Sequence, residues 1–154
     1  NYRRAGSRIF GKIMARIIGL DLGSVTCGVA ISDATGLVAR TLKTIRFPSE
    51  GYDICFDEVL DLLEKNQVKK VVLGLPKHMN GDIGTRAEIS IQFAEELKKE
   101  GYDVTLWDER LTTVSTTRIL LEGDVSRKKR KKIIDQLAAV EILQGYLDQQ
   151  NGGV

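Results

Sequence analysis

The stretch that most constrains what this chain can fold into is residues 16–33, Arg-Ile-Ile-Gly-Leu-Asp-Leu-Gly-Ser-Val-Thr-Cys-Gly-Val-Ala-Ile-Ser-Asp. Two short apolar, β-branched runs are joined by a turn. The first ends in Asp21-Leu22-Gly23 and the second opens at Cys27-Gly28, which is the pattern of a β-hairpin. Asp21 is the anomaly: a carboxylate inside an apolar strand is costly unless its charge is compensated, and a cation is the simplest compensation. Gly23 and Gly28 present no side chains beside it, so a backbone or a phosphate can come close.

The rest of the chain continues in a regular order. Residues 33–36 read as a turn, 38–46 as a third strand with alternating character, and 47–51 as a loop. An amphipathic helix over 52–66 carries Phe56, Val59, Leu60 and Leu63 at helical spacing. Residues 69–74 form a buried strand stopped by Leu75-Pro76. A loop with Asn80-Gly81 leads to a helix over 85–100, with Ala87, Ile91, Ala94 and Leu97 on one face and Gly101 as its stop. A strand over 103–107 follows. A short helix capped by Thr112 or Thr113 runs to Glu122, then a basic loop over 123–132, and a last helix over 131–149 faces inward with Ala139, Ile142, Leu143 and Tyr146. The order βββαβαβα, antiparallel strands first and crossovers after, predicts an α/β fold: one five-stranded mixed sheet with helices on both faces.

One domain over 14–150 accounts for the length. Residues 1–13 carry Arg3, Arg4, Arg8 and Lys12 ahead of Met14 and read as an appended leader; residues 151–154 read as a flexible tail. The formal charge is +2, and the four basic residues of the leader more than supply it, so net charge gives no argument for nucleic acid; only its distribution can. No apolar run reaches the length of a membrane span. Cys27 and Cys55 stand in apolar surroundings at no metal-ligand spacing and read as reduced, buried thiols of a cytoplasmic protein.

Three acids sit where an acid is awkward: Asp21 in the first strand, Glu109 at the exit of the last, and Asp135 at the start of the apolar part of the last helix. Ligands of α/β sheets gather beyond the carboxyl ends of strands, where Asp21 and Glu109 can meet and the last helix can bring Asp135. Taken singly, each has a plainer reading of less weight: Asp21 as a hydrogen-bonded structural acid, Glu109 as an ion-pair partner of Arg110 or a nearby Lys, and Asp135 as a first-turn helix acid. Three converging carboxylates raise one another's pKa values, and hard divalent cations such as Mg²⁺ or Mn²⁺ relieve that repulsion. Two such ions can clamp the attacking and leaving oxygens of a phosphodiester, which implies metal-assisted hydrolysis of a nucleic-acid backbone. The run Arg127-Lys128-Lys129-Arg130-Lys131-Lys132 overhangs the acids in this reading and holds phosphates, with Lys77 and Arg86 at the other border; Arg110 orients a carboxylate or binds the scissile phosphate. His78 reads as a surface residue and Trp107 as core.

These residues carry a family resemblance. Gly19-Leu20-Asp21-Leu22-Gly23 with Gly28-Val29-Ala30, Gly74-Leu75-Pro76-Lys77 with Met79-Asn80-Gly81, Asp108-Glu109-Arg110-Leu111-Thr112-Thr113, and Asp135-Gln136-Leu137-Ala138-Ala139-Val140 resemble, as an ordered set, the bacterial YqgF (RuvX) family of the RNase H-like, Holliday-junction-resolvase-like superfamily. The resemblance implies the RNase H-like fold and a metal-dependent nuclease site with Asp21, Glu109 and Asp135 as catalytic acids and metal ligands. It also implies a cytoplasmic role in trimming the 5′ end of precursor 16S rRNA, in company with ribosomal particles. The chain departs from the family at Val25, where a Lys is common, and at His78, where Asn is common. Cleavage of four-way DNA junctions by a two-fold dimer is the alternative enzyme; otherwise a monomer or weak homodimer is expected. A nucleic-acid-binding factor in transcription or ribosome assembly is the non-enzymatic alternative, and the chain is too short for an actin-like ATPase.

Overall fold

The computed structural model describes residues 16–76, 84–111 and 127–152. Its elements are β1 (Ile17–Leu22), β2 (Thr26–Ser32), β3 (Ala39–Arg46), α1 (Tyr52–Lys65), β4 (Lys70–Leu75), α2 (Thr85–Lys99), β5 (Asp103–Asp108), a 3-10 turn (Glu109–Leu111) and α3 (Arg127–Gln150). The described strands form a five-stranded sheet in the order β3-β2-β1-β4-β5. β2 is antiparallel to β1 and β3, while β4 is parallel to β1 and β5. This is the mixed α/β sheet that the element order predicts.

Both hairpin turns are built by identifiable contacts. The Gly23 N–H donates to the Thr26 carbonyl at 2.7 Å. A Cβ on Gly23 would stand 2.9 Å from that same oxygen, so this tight turn has room only for glycine. At the β2–β3 turn the Asp33 carboxylate accepts hydrogen bonds from the Thr35 hydroxyl and the Leu37 and Val38 N–H groups. These donors, the Thr35 hydroxyl foremost, hold the Asp33 carboxyl below its ordinary pKa.

The sheet is covered on both faces, as its parallel half, β1-β4-β5, requires. Ile18, Leu20, Leu22, Val29, Ile31, Val71 and Leu73 point towards α1 and α2, meeting Val59, Leu63, Phe93, Ala94 and Leu97. Ala30, Val72 and Trp107 point the other way, against Ala139, Ile142, Leu143 and Leu147 of α3. Each fully buried aliphatic side chain contributes about 1.5–3 kcal/mol before ordering costs. Trp107 is core, as expected, packed edge-on against Tyr146. On α2 the buried face includes Phe93 and Ser90, with Ile91 only half-buried. α3 lies almost on the backbone of β1: a Cβ on Gly19 would stand 2.7 Å from Leu143 Cβ and 3.3 Å from the Ala139 carbonyl.

One expectation is corrected. The basic run 127–132 is not a loop; it forms the opening turns of α3. Lys and Arg are good helix formers and no Gly or Pro interrupts the segment, so helicity persists without an apolar stripe to announce it. Asp135 therefore stands about two turns inside α3 rather than in its first turn, and the N-terminal dipole does not act on it there. The leader 1–13, the loop with Lys77, His78 and Asn80-Gly81, and the short helix expected after Thr112 lie outside the described residues.

Candidate active site

Asp21 lies near the C-terminal end of β1, paired with Gly28 across the hairpin. Ile18, Leu20 and Leu22 belong to the α1/α2 core, so strand alternation assigns Asp21 to the α3 side. Glu109 leaves β5 in the 3-10 turn and folds back over β4, so that a Cβ on Gly74 would stand 2.7 Å from its Oε2. Gly74 follows Leu73, the partner of Leu20 in β1, and pairs with Trp107 in β5. The glycine is thus the bare patch between the strand ends that carry Asp21 and Glu109.

The electrostatics record this closeness. Glu109 is pushed up to about 7 by its burial, then by the negative charge of Asp21, with Asp108 adding to the effect and Arg86 opposing it. Arg86 reaches from the first turn of α2, donating from Nη2 to the Leu22 carbonyl at 3.2 Å. With Asp21, Gly23, Ser24, Val25, Thr26 and Gly28 it walls a polar cavity of about 240 Å³. The open space that Gly23 and Gly28 suggested beside Asp21 is present, and a cation enters it from α2.

Asp135 is carried by the helix backbone towards the same end of the sheet. Leu143 sits on Gly19, Gln144 binds Ala39 and Leu37, and the Asn151 side chain donates to the Gly36 carbonyl. α3 therefore runs antiparallel to β1, with its earlier residues nearer the C-terminal strand ends. Gly19 faces the turn of α3 between Ala139 and Leu143. Position 135 lies about 6 Å beyond Ala139 along the helix axis, in the direction in which Asp21 follows Gly19 along the strand. The Asp135 side chain is outside those described, and among the described residues no group of three or more His, Cys, Asp or Glu side chains is gathered for a metal.

The expected phosphate-binding residues divide. Arg86 joins the cavity. Lys128 and Lys129 are exposed at the start of α3. Arg127, Arg130, Lys131 and Lys132 are in the same helix and Arg110 is in the 3-10 turn, with side chains outside those described; Lys77 lies outside the described residues altogether. Two contributors escape the sequence reading. Gly74 had a signal, since an isolated glycine inside a buried strand marks a close approach. Asp108 had none beyond its place beside Glu109. On the opposite side of the sheet, Cys27 and Cys55 are free and buried. Hydrogen bonding to the Cys55 thiol and burial push the Cys27 thiol well up, which makes it inert rather than nucleophilic.

This sheet, with acids at its carboxyl end and a helix laid across β1, is an RNase H-like fold. Thermus thermophilus RuvC, alone and in complex with Holliday junction substrate, shares it with TM-scores of 0.56 and 0.59 over 89% of this chain and 96% of theirs, at 15% identity. A family model described as "RuvX: Holliday junction resolvase" matches residues 15–149, and the chain belongs to that family. Proteins named "Putative pre-16S rRNA nuclease" are similar to it: one from Staphylococcus epidermidis is 52% identical over 135 residues, covering 86% of this chain and 95% of its own. Another, from Oceanobacillus iheyensis, is 51% identical over 136 residues, covering 88% and 99%. Among the described residues no helix is long and apolar enough to cross a membrane.

Proposed function

We propose that this chain, as a single domain over 14–150, is a divalent-metal-dependent endonuclease that hydrolyses phosphodiester bonds and acts in the cytoplasm on the 5′ end of precursor 16S rRNA. The observation that carries the reading is the convergence of Asp21 and Glu109, which burial and mutual repulsion hold in a state where Glu109 gives up its proton only near neutral pH. The names of the relatives from S. epidermidis and O. iheyensis supply the rRNA substrate.

The donor set fits a hard cation: two crowded carboxylates beside a polar cavity, with oxygen the only donor type offered among the described residues. Asp21, Glu109 and Asp135 would hold Mg²⁺ or Mn²⁺, which when bound supplies Lewis acidity to the attacking and leaving oxygens. Glu109 must release its proton on loading. Arg86 offers its remaining N–H donors to a phosphate in the cavity beside Asp21. Lys77, Arg110 and the basic start of α3 steer the RNA backbone. Val25, half-exposed on the cavity wall, leaves Arg86 as the cation of this pocket among the described residues.

The test is cleavage of a precursor 16S 5′-leader RNA and of a four-way DNA junction by the purified chain with Mg²⁺ or Mn²⁺, beside Asp21→Asn. RNA cutting that the mutant loses, with RNA binding kept, supports the reading; full activity in Asp21→Asn sinks the site. The second reading, junction resolution by a two-fold dimer, draws on the fold shared with RuvC bound to a Holliday junction. Paired symmetric cuts in the junction by a dimeric chain would favour it. Binding without any cutting would favour an assembly factor.

A further inference from the structure

On the sheet face opposite Asp21 and Glu109, α1 and α2 leave a groove of about 380 Å³. Its floor is apolar: Phe56 and Phe93 meet edge-on at 5.3 Å between ring centroids, and Ile89 continues the surface. Its rim is acidic, formed by Asp53, Asp57 and Glu96. Two other acids of α1 are matched, Glu58 by Lys43 at 3.8 Å and Asp61 by Lys65 at 3.0 Å. Asp53 and Asp57 enter no ion pair among the described residues. The Glu96 carboxylate accepts from Gln92 at 2.9 Å and is ion-paired with Lys99 at 3.4 Å, so Asp53 and Asp57 carry the uncompensated charge of the rim and Glu96 adds a fixed acceptor beside them.

This surface is the electrostatic opposite of the start of α3, where six consecutive basic residues stand. An acidic rim repels a phosphate backbone and attracts cations, and an aromatic floor gains from a desolvated apolar side chain. We propose that the α1/α2 groove docks a cationic amphipathic segment of a second protein, which inserts an aliphatic or aromatic side chain against Phe56 and Phe93 while its Lys or Arg residues meet Asp53, Asp57 and Glu96. The basic start of α3 cannot fill the groove in the same molecule, because α3 is seated on the other face of the sheet through Leu143 and Gly19. With the groove on one face and the acids on the other, nucleic acid and protein partner can be held at once.

The test uses the full chain and three synthetic peptides of equal length: a Leu/Lys amphipathic helix, the same sequence with every Lys replaced by Glu, and the same with every Leu replaced by Ser. Fluorescence anisotropy gives the affinities, and amide chemical-shift changes give the location. The Leu/Lys peptide is expected to bind with shifts confined to α1 and α2, and the Glu peptide not to bind. The Asp57→Lys/Glu96→Lys pair should weaken the Leu/Lys peptide by at least about tenfold, since attraction at the rim becomes repulsion. Ile89→Glu should weaken it too; if that variant fails to fold, the charge-reversed pair, whose positions lie on the helix surface, still decides. Failure of the Leu/Lys peptide to bind, equal binding of the Ser peptide, or unchanged affinity in the charge-reversed pair overturns the proposal. So does self-association of the chain in sedimentation that the same variants abolish, which would make a second copy the occupant.

Discussion

The Glu109 carboxylate lies on the bare backbone of Gly74: a Cβ built on the glycine would stand 2.7 Å from Glu109 Oε2 and 2.5 Å from Ile142 Cδ1. Both obstructing atoms are the ends of flexible side chains, so Gly74→Ala should fold, at a cost of about 1–3 kcal/mol for overpacking. The added methyl must displace the Glu109 carboxylate, and a shift of about 1 Å in a positioned group can cost about 10²-fold in rate. Gly74→Ala is therefore expected to lose far more cleavage rate than stability, as single-turnover kinetics and thermal unfolding on the same sample would show. A rate unchanged within twofold would mean that Glu109 does not act from this position.

The raised pKa of Glu109 makes a signed prediction. The folded protein holds this proton up to about pH 7, against an ordinary value of 4.5, so the native state binds more protons than the unfolded chain between those values. Stability from this group is fully present below the unfolded pKa and is lost as pH rises through about 7. Without divalent metal, wild type should lose stability relative to Glu109→Gln between about pH 5 and 8. Saturating Mg²⁺ should reverse the loss in wild type only. Parallel thermal melts across that range check both halves, and a pH-independent difference would contradict the shift.

How much of this was legible in the sequence varies with the kind of signal. The hairpin, the element order and the two covered faces follow from apolar periodicity and glycine punctuation, which are local; the strand order β3-β2-β1-β4-β5 comes from the structure. Asp21 and Glu109 were legible because a charge in a buried strand, or at its exit, must be explained. Arg86 was recognisable as a border cation, but its bond to Leu22 O joins residues far apart in sequence, which no local pattern reveals. The start of α3 departs from the loop expected there because Arg127 to Lys132 contains no apolar residue, so no apolar periodicity marks its helix. Intrinsic propensity was the signal available there.

Arg86 should prove a positioning cation as well as a phosphate donor. Its guanidinium braces the Leu22 carbonyl at 3.2 Å and lowers the pKa of Glu109 against burial and Asp21. Arg86→Ala should cost about 1 kcal/mol or less through the lost hydrogen bond. It should also move the pH midpoint of cleavage upward and raise KM. Arg86→Lys should restore part of the pH midpoint, because it keeps a point charge, but less of the KM, because it lacks the planar fork. A pH profile unmoved in Arg86→Ala would confine the residue to substrate binding.

Because the basic run is helical, its six charges do not form one surface. Successive positions on a helix are turned by about 100°, so 127, 130 and 131 share one side while 128, 129 and 132 are distributed over another. Lys128 and Lys129 are exposed. A phosphate backbone passing along one side of α3 would meet only some of these residues. Single substitutions to Gln across 127–132 should therefore weaken RNA binding with helical periodicity. Each engaged residue should reduce the slope of log K against log salt by about 0.7–0.9. Thermal stability should change by no more than about 0.5 kcal/mol at the exposed positions Lys128 and Lys129. Salt titrations of RNA affinity across the six variants give the pattern. A uniform loss at every position would show that this segment meets RNA as an unwound strand of charge, and that its helix opens on binding.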